Sequence, residues 1–410
     1  MKILWVKAGG LVPPDTGGKI RSYSILRELA LHHRVTFFSF YGAHASDAHP
    51  DLESIFDRVV CIPLQLPAAR GWGEFLDYST RSLSPEPYSI GKYCRQRVRA
   101  ELRKLAEREA YDVILCDFIF AAGAIPWDLA CPKVLFTHNV EALIWRRHYE
   151  VTSNLLWKWL CWLEWKKMQR AEQHYLGLAD HVLTVSENDR GTFARFLGSR
   201  KLSTIPTGVD TEYFQPTSGP EMPNSIVFTG SMDWLPNQDA IFYFVEEILP
   251  FIRQQVPDVS LWVIGRKPSR SLEELAAKRN NIHITGWVED IRPYLARGAV
   301  SIVPLRIGGG TRIKIFEAMA MGKPVVSTSV GAEGLPVRDG EHILIADEPW
   351  HFAECVISLF ANTGERLRLG MTSRKLVEEN YSWRKVASEF GDILAQIVDK
   401  QSLAVLNASA

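Results

Sequence analysis

Cysteine is scarce in this chain and follows no pattern. Its six residues, Cys61, Cys94, Cys116, Cys131, Cys161 and Cys355, form no C-x-x-C pair and no zinc-like spacing. That argues against a structural metal site or a disulfide framework and favours a reducing cytoplasm. Net charge is lacking too: 47 basic residues balance 47 acidic ones, so no global field favours wrapping nucleic acid. No stretch approaches the roughly 18 uninterrupted apolar residues that suggest a membrane span. The opening MKILWVKAGG holds an apolar run too short for a signal-peptide core. The expectation is a cytoplasmic protein that does not cross a membrane. Tandem repeats and low-complexity tracts are missing, and no D-x-D triad marks a divalent-ion site.

What is present is an ordinary globular composition, 46% hydrophobic and 23% charged over 410 residues. Such a chain can build substantial cores and splits naturally into two domains of about 200 residues each. Short apolar runs bounded by turn residues, at 3–6, 35–40, 59–64, 113–118, 133–138 and 181–186, read as buried parallel strands. Helical patterns lie between most of them, including 19–33 and a basic amphipathic stretch at 91–110. The alternation restarts at 225–230 and continues through 260–265, 282–287, 300–305, 324–329 and 342–347. The fold class is therefore α/β, with two doubly wound domains.

Between the halves, residues 203–225 are rich in Pro, Thr and Ser, lack a helical period, and read as a linker. The expected domains are 1–207 and 208–384, with a closing helix at 385–400 packing back on the first and a frayed tail at 401–410. Residues 1–207 hold 27 Lys and Arg against 22 Asp and Glu, a basic half that suits an anionic surface. The helix expected at 154–176 carries Trp157, Trp159, Trp162 and Trp165 with Lys158, Lys166, Lys167 and Arg170. Burial of these rings between helices is the usual outcome. An interfacial helix on an anionic membrane is the alternative.

The chemistry-bearing segments follow strand-like runs. After 300–305 come Gly308, Gly309 and Gly310, then Thr311, Arg312, Ile313 and Lys314 at the start of a helix that also holds Glu317. Glycines admit close backbone approach, helix-end N–H groups attract anions, and two cations favour a diphosphate. A carboxylate such as Glu317 suits ribose hydroxyls. A plain strand-to-helix turn fits the same residues. Gly17 and Gly18 precede a helix after the first strand, as phosphate-approaching glycines or as an ordinary turn. His138 ends a strand-like run, where a histidine is structural or a hydrogen-bonding group of a site.

The stretch 308–328, GGGTRIKIFEAMAMGKPVVST, resembles the donor-site segment of glycosyltransferase family 4. Residues 13–29, 136–141, 185–190, 205–216 and 284–305 resemble further segments of that family in the same order. The resemblance implies a GT-B fold, two Rossmann-like domains facing across a central cleft. It also implies a retaining, metal-independent enzyme without a cofactor. Such an enzyme moves a hexose-like sugar from a nucleotide diphosphate sugar to a glycan, lipid-linked or small-molecule acceptor. It makes His138 catalytic and gives Gly17, Gly18, Gly230, Val288, Gly309, Gly310, Thr311, Arg312, Lys314 and Glu317 to the donor. The Gly286-Trp287-Val288 turn would frame the nucleobase, or be merely a buried strand terminus.

Two departures stand out. The family's Arg and Lys after the glycine at 230 are replaced by Ser231, Met232, Asp233, Trp234 and Asn237, so Arg312 and Lys314 are expected to supply the charge. The first of the family's two glutamates falls at Gly309. These departures leave an inactive nucleotide-sugar-binding scaffold as one rival reading, with a GT-B epimerase as another.

Overall fold

The computed structural model describes residues 1–409 other than 15, 43–48, 68–71, 153, 218 and 308–311. Two compact units divide the chain: Met1–Pro206 with Val386–Ala410, and Thr207–Lys385.

In the first unit, seven strands pair in parallel: β1 (Lys2–Ala8), β2 (Arg34–Gly42), β3 (Arg58–Leu64), β4 (Val113–Asp117), β5 (Lys133–Phe136), β6 (His181–Thr184) and β7 (Leu202–Thr204). Their order is β3-β2-β1-β4-β5-β6-β7. Strands with both faces covered by crossover helices need apolar residues at every position rather than at alternate ones. The segments ILWV of β1 and VILC of β4 meet that need and are buried throughout. β7 runs into the stretch expected to be linker. With only Leu202 as an apolar residue it has no strand signal of its own, and its ladder with β6 places it at the sheet edge.

The second unit repeats the plan with β8 (Ser225–Thr229), β9 (Ser260–Ile264), β10 (Ile282–Ile284), β11 (Val300–Val303), β12 (Val325–Ser327) and β13 (Leu344–Ile345). All pairings are again parallel, in the order β10-β9-β8-β11-β12-β13. In each sheet the winding reverses beside the first strand, between β1 and β4 and between β8 and β11. Loops on either side of such a reversal splay apart at the carboxyl ends of the strands, and ligands bind there in this architecture.

The last helix, Trp383–Ser409, starts in the second unit, where the Trp383 N–H donates to the Val209 carbonyl at 3.2 Å. It continues in the first unit, where Phe390 stacks on Trp5 at 5.6 Å and meets Phe136 edge-on at 5.2 Å. Fraying from residue 401 is not observed. The backbone stays helical to Ser409, because no glycine or proline follows Gly391 to stop it.

The tryptophan-rich segment forms the helix Leu155–Leu178. Burial, the usual outcome, holds only in part: Trp165 is half-buried against the core, whereas Trp157, Trp159 and Trp162 are 47%, 54% and 42% exposed. The buried side of the helix is Cys161, Glu164, Lys167, Met168 and Tyr175. Tryptophans placed around more than one face cannot all share it.

Phe390→Ala should cost about 3–5 kcal/mol of stability by opening a cavity against two fully buried rings. Chemical denaturation checks this, and an unchanged midpoint would contradict the packing.

Candidate functional site

At the reversal of the first sheet, register sets Lys7 opposite Asp117 on adjacent strands. Asp117 is wholly buried, so its carboxylate must be compensated by protein groups. Lys7 Nζ donates to Oδ2 at 2.9 Å, Trp5 Nε1 donates to the same oxygen at 3.0 Å, and His138 Nε2 lies 2.8 Å from Oδ1. Burial alone would raise the Asp117 carboxyl, but Lys7 and His138 outweigh it and hold the group below the usual carboxylate range.

His138 has its second ring nitrogen 3.2 Å from Arg21 Nη1. A carboxylate can only accept and a guanidinium can only donate. The imidazole is therefore neutral, with its proton on Nε2 and the Nδ1 lone pair facing Arg21. Burial, only partly offset by Asp117, pushes its pKa down to about 4. Burial likewise lowers Arg21 to about 10 against the opposing pull of Asp189 and Asp117. Lys7 also donates to Ser22 Oγ at 3.0 Å, and Ser22 Oγ donates to the Gly18 carbonyl at 2.9 Å. The helix Gly17–Ala30 is thereby tied to the same cluster. A Cβ at Gly18 would sit 3.5 Å from His138 Nδ1, in ordinary contact. Gly17, Gly18 and His138 thus do assemble at one strand edge. The peptide after Asp117 is unusual: Phe118 has φ of 75°, rare for a bulky residue, with its ring edge-on to His138 at 5.2 Å.

The second unit brings glycines together at its strand ends. Gly230 follows β8 with φ of 154°, and its N–H donates to the Ile264 carbonyl at 2.9 Å. A Cβ at Gly265 would fall 1.7 Å from the Gly230 carbonyl oxygen, so only glycine permits this approach. A Cβ at Gly230 would lie 2.6 Å from Lys314 Nζ and 2.7 Å from Asn237 Nδ2. The helix Ile313–Ala320 thus brings the Lys314 amine beside the Gly230 turn.

Lys314 Nζ donates to Asn237 Oδ1 at 2.9 Å and lies 4.0 Å from the centre of the Phe228 ring. Burial and the nearby Arg312 push its pKa down to about 7. Glu317, one turn further along, is pushed up to about 7 by burial despite Lys314, and its carboxylate has no hydrogen-bond partner among the described residues. Arg312 is buried at the helix N-cap with its guanidinium 5.3 Å from the Trp234 ring centre. Among the described residues no side chain caps this N-terminus, and its first turn has no acidic residue. Val288 is half-buried against the core of this unit, beyond the exposed Trp287. Gly309, Gly310 and Thr311 lie outside the described residues.

Several neighbours escape a reading of the sequence. Asp117, Lys7 and Arg21 join His138, and Arg266 reaches Ser231 Oγ with Nε at 2.9 Å beside the Gly230 turn. A signal existed for the first pair only: a lysine and an aspartate ending strands that flank the reversal.

Residues 16–213 match the model of Glycosyltransferase Family 4 and residues 223–362 that of Glycosyl transferases group 1. The chain belongs to these glycosyltransferases. It is 22% identical over 300 residues to an uncharacterized 44.6 kDa protein in the cps region of Klebsiella pneumoniae, covering 71% of this chain and 76% of that one. It is 26% identical over 242 residues to the GDP-mannose-dependent alpha-(1-6)-phosphatidylinositol monomannoside mannosyltransferase of Mycolicibacterium smegmatis, covering 53% of this chain and 62% of that enzyme. The match therefore spans less than two thirds of the mannosyltransferase. The solved sucrose-phosphate synthase of Thermosynechococcus elongatus superposes with a TM-score of 0.73 at 18% identity, covering 98% of this chain and 100% of that one. HepE of Anabaena in complex with UDP gives 0.70 at 15%, covering 97% and 100%. The fold is GT-B, with two parallel sheets and flanking helices.

His138 should remain a neutral Nε2–H imidazole from pH 8 down to pH 5 in nitrogen-15 NMR. Its folded pKa lies below the unfolded value of about 6.5, so native protein takes up this proton later than unfolded chain. The group costs stability as pH falls from about 6.5 towards about 4. Titration of His138 near pH 6.5 would contradict the hydrogen-bond arrangement.

Proposed function

We propose that the protein transfers a hexose-like sugar from a nucleotide diphosphate sugar to a glycan or lipid-linked acceptor, with retention of configuration and without a metal. The Thr207–Lys385 unit is the donor-binding part and the Met1–Pro206 unit the acceptor-binding part. The observation that carries the reading is the Lys314 amine seated beside Gly230, with the Glu317 carboxylate, which has no hydrogen-bond partner among the described residues, on the same helix. A diphosphate at the Gly230 turn would meet a cation and uncapped helix N–H groups, and Glu317 is available to ribose hydroxyls. Stabilising the leaving diphosphate in this way lowers the barrier to breaking the glycosidic bond.

Gly309, Gly310 and Thr311 join this site in the proposal as contacts to the sugar, and Val288 as a backbone contact to the base. His138, held neutral by Asp117 and Arg21, acts as a fixed hydrogen-bonding group rather than as a general base. The mannosyltransferase relative, whose name specifies GDP-mannose and a phosphatidylinositol monomannoside, supports a lipid-linked acceptor. The setting is cytoplasmic, at the surface of a membrane that holds that acceptor, in cell-surface glycoconjugate synthesis.

A thermal-shift panel of UDP-, GDP-, ADP- and dTDP-sugars tests donor binding. A ligand at about 100 times its Kd should stabilise by about 2.7 kcal/mol. Turnover with mixed acceptors in the presence of EDTA tests transfer and metal independence. Donor binding without turnover would leave a scaffold, and no shift with any donor would overturn the reading. Arg312→Ala with Lys314→Ala should raise the donor KM at least tenfold, through loss of charge-assisted contacts.

Donor affinity should peak near pH 7. An anion favours charged Lys314, so affinity falls as pH rises above its value of about 7. Ribose donors favour ionised Glu317, so affinity falls as pH drops below about 7. Calorimetry should show the alkaline limb lost in Lys314→Met and the acid limb lost in Glu317→Gln.

A further inference from the structure

Most helices in the first unit turn their apolar stripe inward, as Gln96–Arg108 does with Val98, Leu102 and Leu105. The helix Trp72–Arg81 does the opposite and buries no residue fully. Its polar stripe faces the protein: Tyr78 Oη donates to Glu164 Oε1 at 3.3 Å, Arg81 Nε donates to Asp77 at 3.0 Å, and Arg81 Nη1 donates to the Gly91 carbonyl at 3.1 Å. The stripe Trp72, Phe75 and Leu76 faces solvent, with Trp72 83% exposed. An amphipathic helix inverted in this way buries polar groups at the expense of apolar ones, which water does not favour.

The exposed apolar surface continues onto the neighbouring helix. Lys167 Nζ donates to the Ser82 carbonyl at 2.6 Å, which ties the turn after the inverted helix to Leu155–Leu178. Between them lies an open groove of about 860 Å³ lined by Leu83, Trp159, Trp162, Lys166 and Arg170. Leu83 is 95% exposed, and Leu155, Leu156 and Trp157 are also exposed. Both acids of the tryptophan helix, Glu164 and Glu172, are buried. Its outward surface therefore presents Trp and Leu beside Lys158, Lys166 and Arg170, with no carboxylate. Glu150, exposed on the adjacent helix Glu141–Val151, is ion-paired to Arg146 at 2.7 Å.

We propose that this face docks on the interface of an anionic lipid bilayer, with Trp72, Phe75, Leu76, Leu83, Trp159 and Trp162 entering the headgroup boundary. Lys158, Lys166 and Arg170 lie against lipid phosphates. The occupant is a bilayer because indole and aliphatic side chains beside cations, with the acids withdrawn, complement an apolar layer capped by negative charge. No described helix is long and apolar enough to cross a membrane, so attachment is from one side. The surface is independent of the sugar-transfer reading, since neither Lys314 nor His138 belongs to it.

The test is flotation of the full-length protein with vesicles of phosphatidylcholine containing 30% phosphatidylglycerol, compared with pure phosphatidylcholine. Quenching of tryptophan fluorescence by brominated lipid is read in parallel. The expected result is binding to anionic vesicles, at least tenfold weaker binding to neutral ones, and quenching. Trp159→Ser with Trp162→Ser, and separately Trp72→Ser with Phe75→Ser, should each lower vesicle binding at least tenfold. Both variants should keep the wild-type circular-dichroism melt and the same thermal shift with donor sugar, so a failure here is distinguishable from a failure of the donor site. No association with anionic vesicles, or concentration-dependent dimerisation that the tryptophan variant abolishes, would overturn the proposal. Binding that survives both variants would also overturn it.

Discussion

The Asp117 carboxylate has no access to water, and withdrawing such an ion costs several kcal/mol unless its oxygens are satisfied. Lys7 and Trp5 from one strand and His138 from the end of another supply what water would have supplied. That requirement joins three strands at the reversal of the first sheet and leaves the imidazole one hydrogen-bonding arrangement. It passes through Ser22 to the helix that begins at Gly17 and through Nδ1 to Arg21. At the carboxyl ends of these strands the result is one buried, hydrogen-bonded cluster of Lys7, Arg21, Asp117 and His138. The strained Phe118 backbone persists there because the hydrogen bond to Phe136 and the surrounding rings over-determine it.

The second unit solves a related problem with backbone rather than charge. A Cβ at Gly265 would strike the Gly230 carbonyl oxygen, so the two turns meet only because residue 265 is glycine, and the space beside Gly230 receives the Lys314 amine. The amine lies over the Phe228 ring and donates to Asn237, and burial with Arg312 lowers its pKa to about 7. Among the described residues the Glu317 carboxylate, on the same helix, has no hydrogen-bond partner, and burial raises its pKa to about 7.

Much of this was legible in the residues. The strand runs at 3–6, 113–118, 225–230 and 300–305 are each found as strands, because apolar continuity over four to six residues is a local property of a strand covered on both faces. The glycines at 18 and 230 and the cations at 312 and 314 also announced themselves through their place after such runs. β7 did not, since Leu202–Thr204 becomes a strand only through its ladder with β6. Arg21 and Arg266 did not, since what they meet, His138 and Ser231, comes from distant segments of the chain.

The tryptophan helix makes the same distinction. Its period and N-cap could be read from the chain, and Asn154 does cap it through the Trp157 N–H. Which rings stay in water was decided by the one face that meets its neighbours. The sequence by itself determined the identity and succession of the elements, because hydrophobic period and turn chemistry act over a few residues. Register, pairing of distant charges and exposure of individual side chains were decided by tertiary structure, because each depends on where another segment of the chain comes to rest.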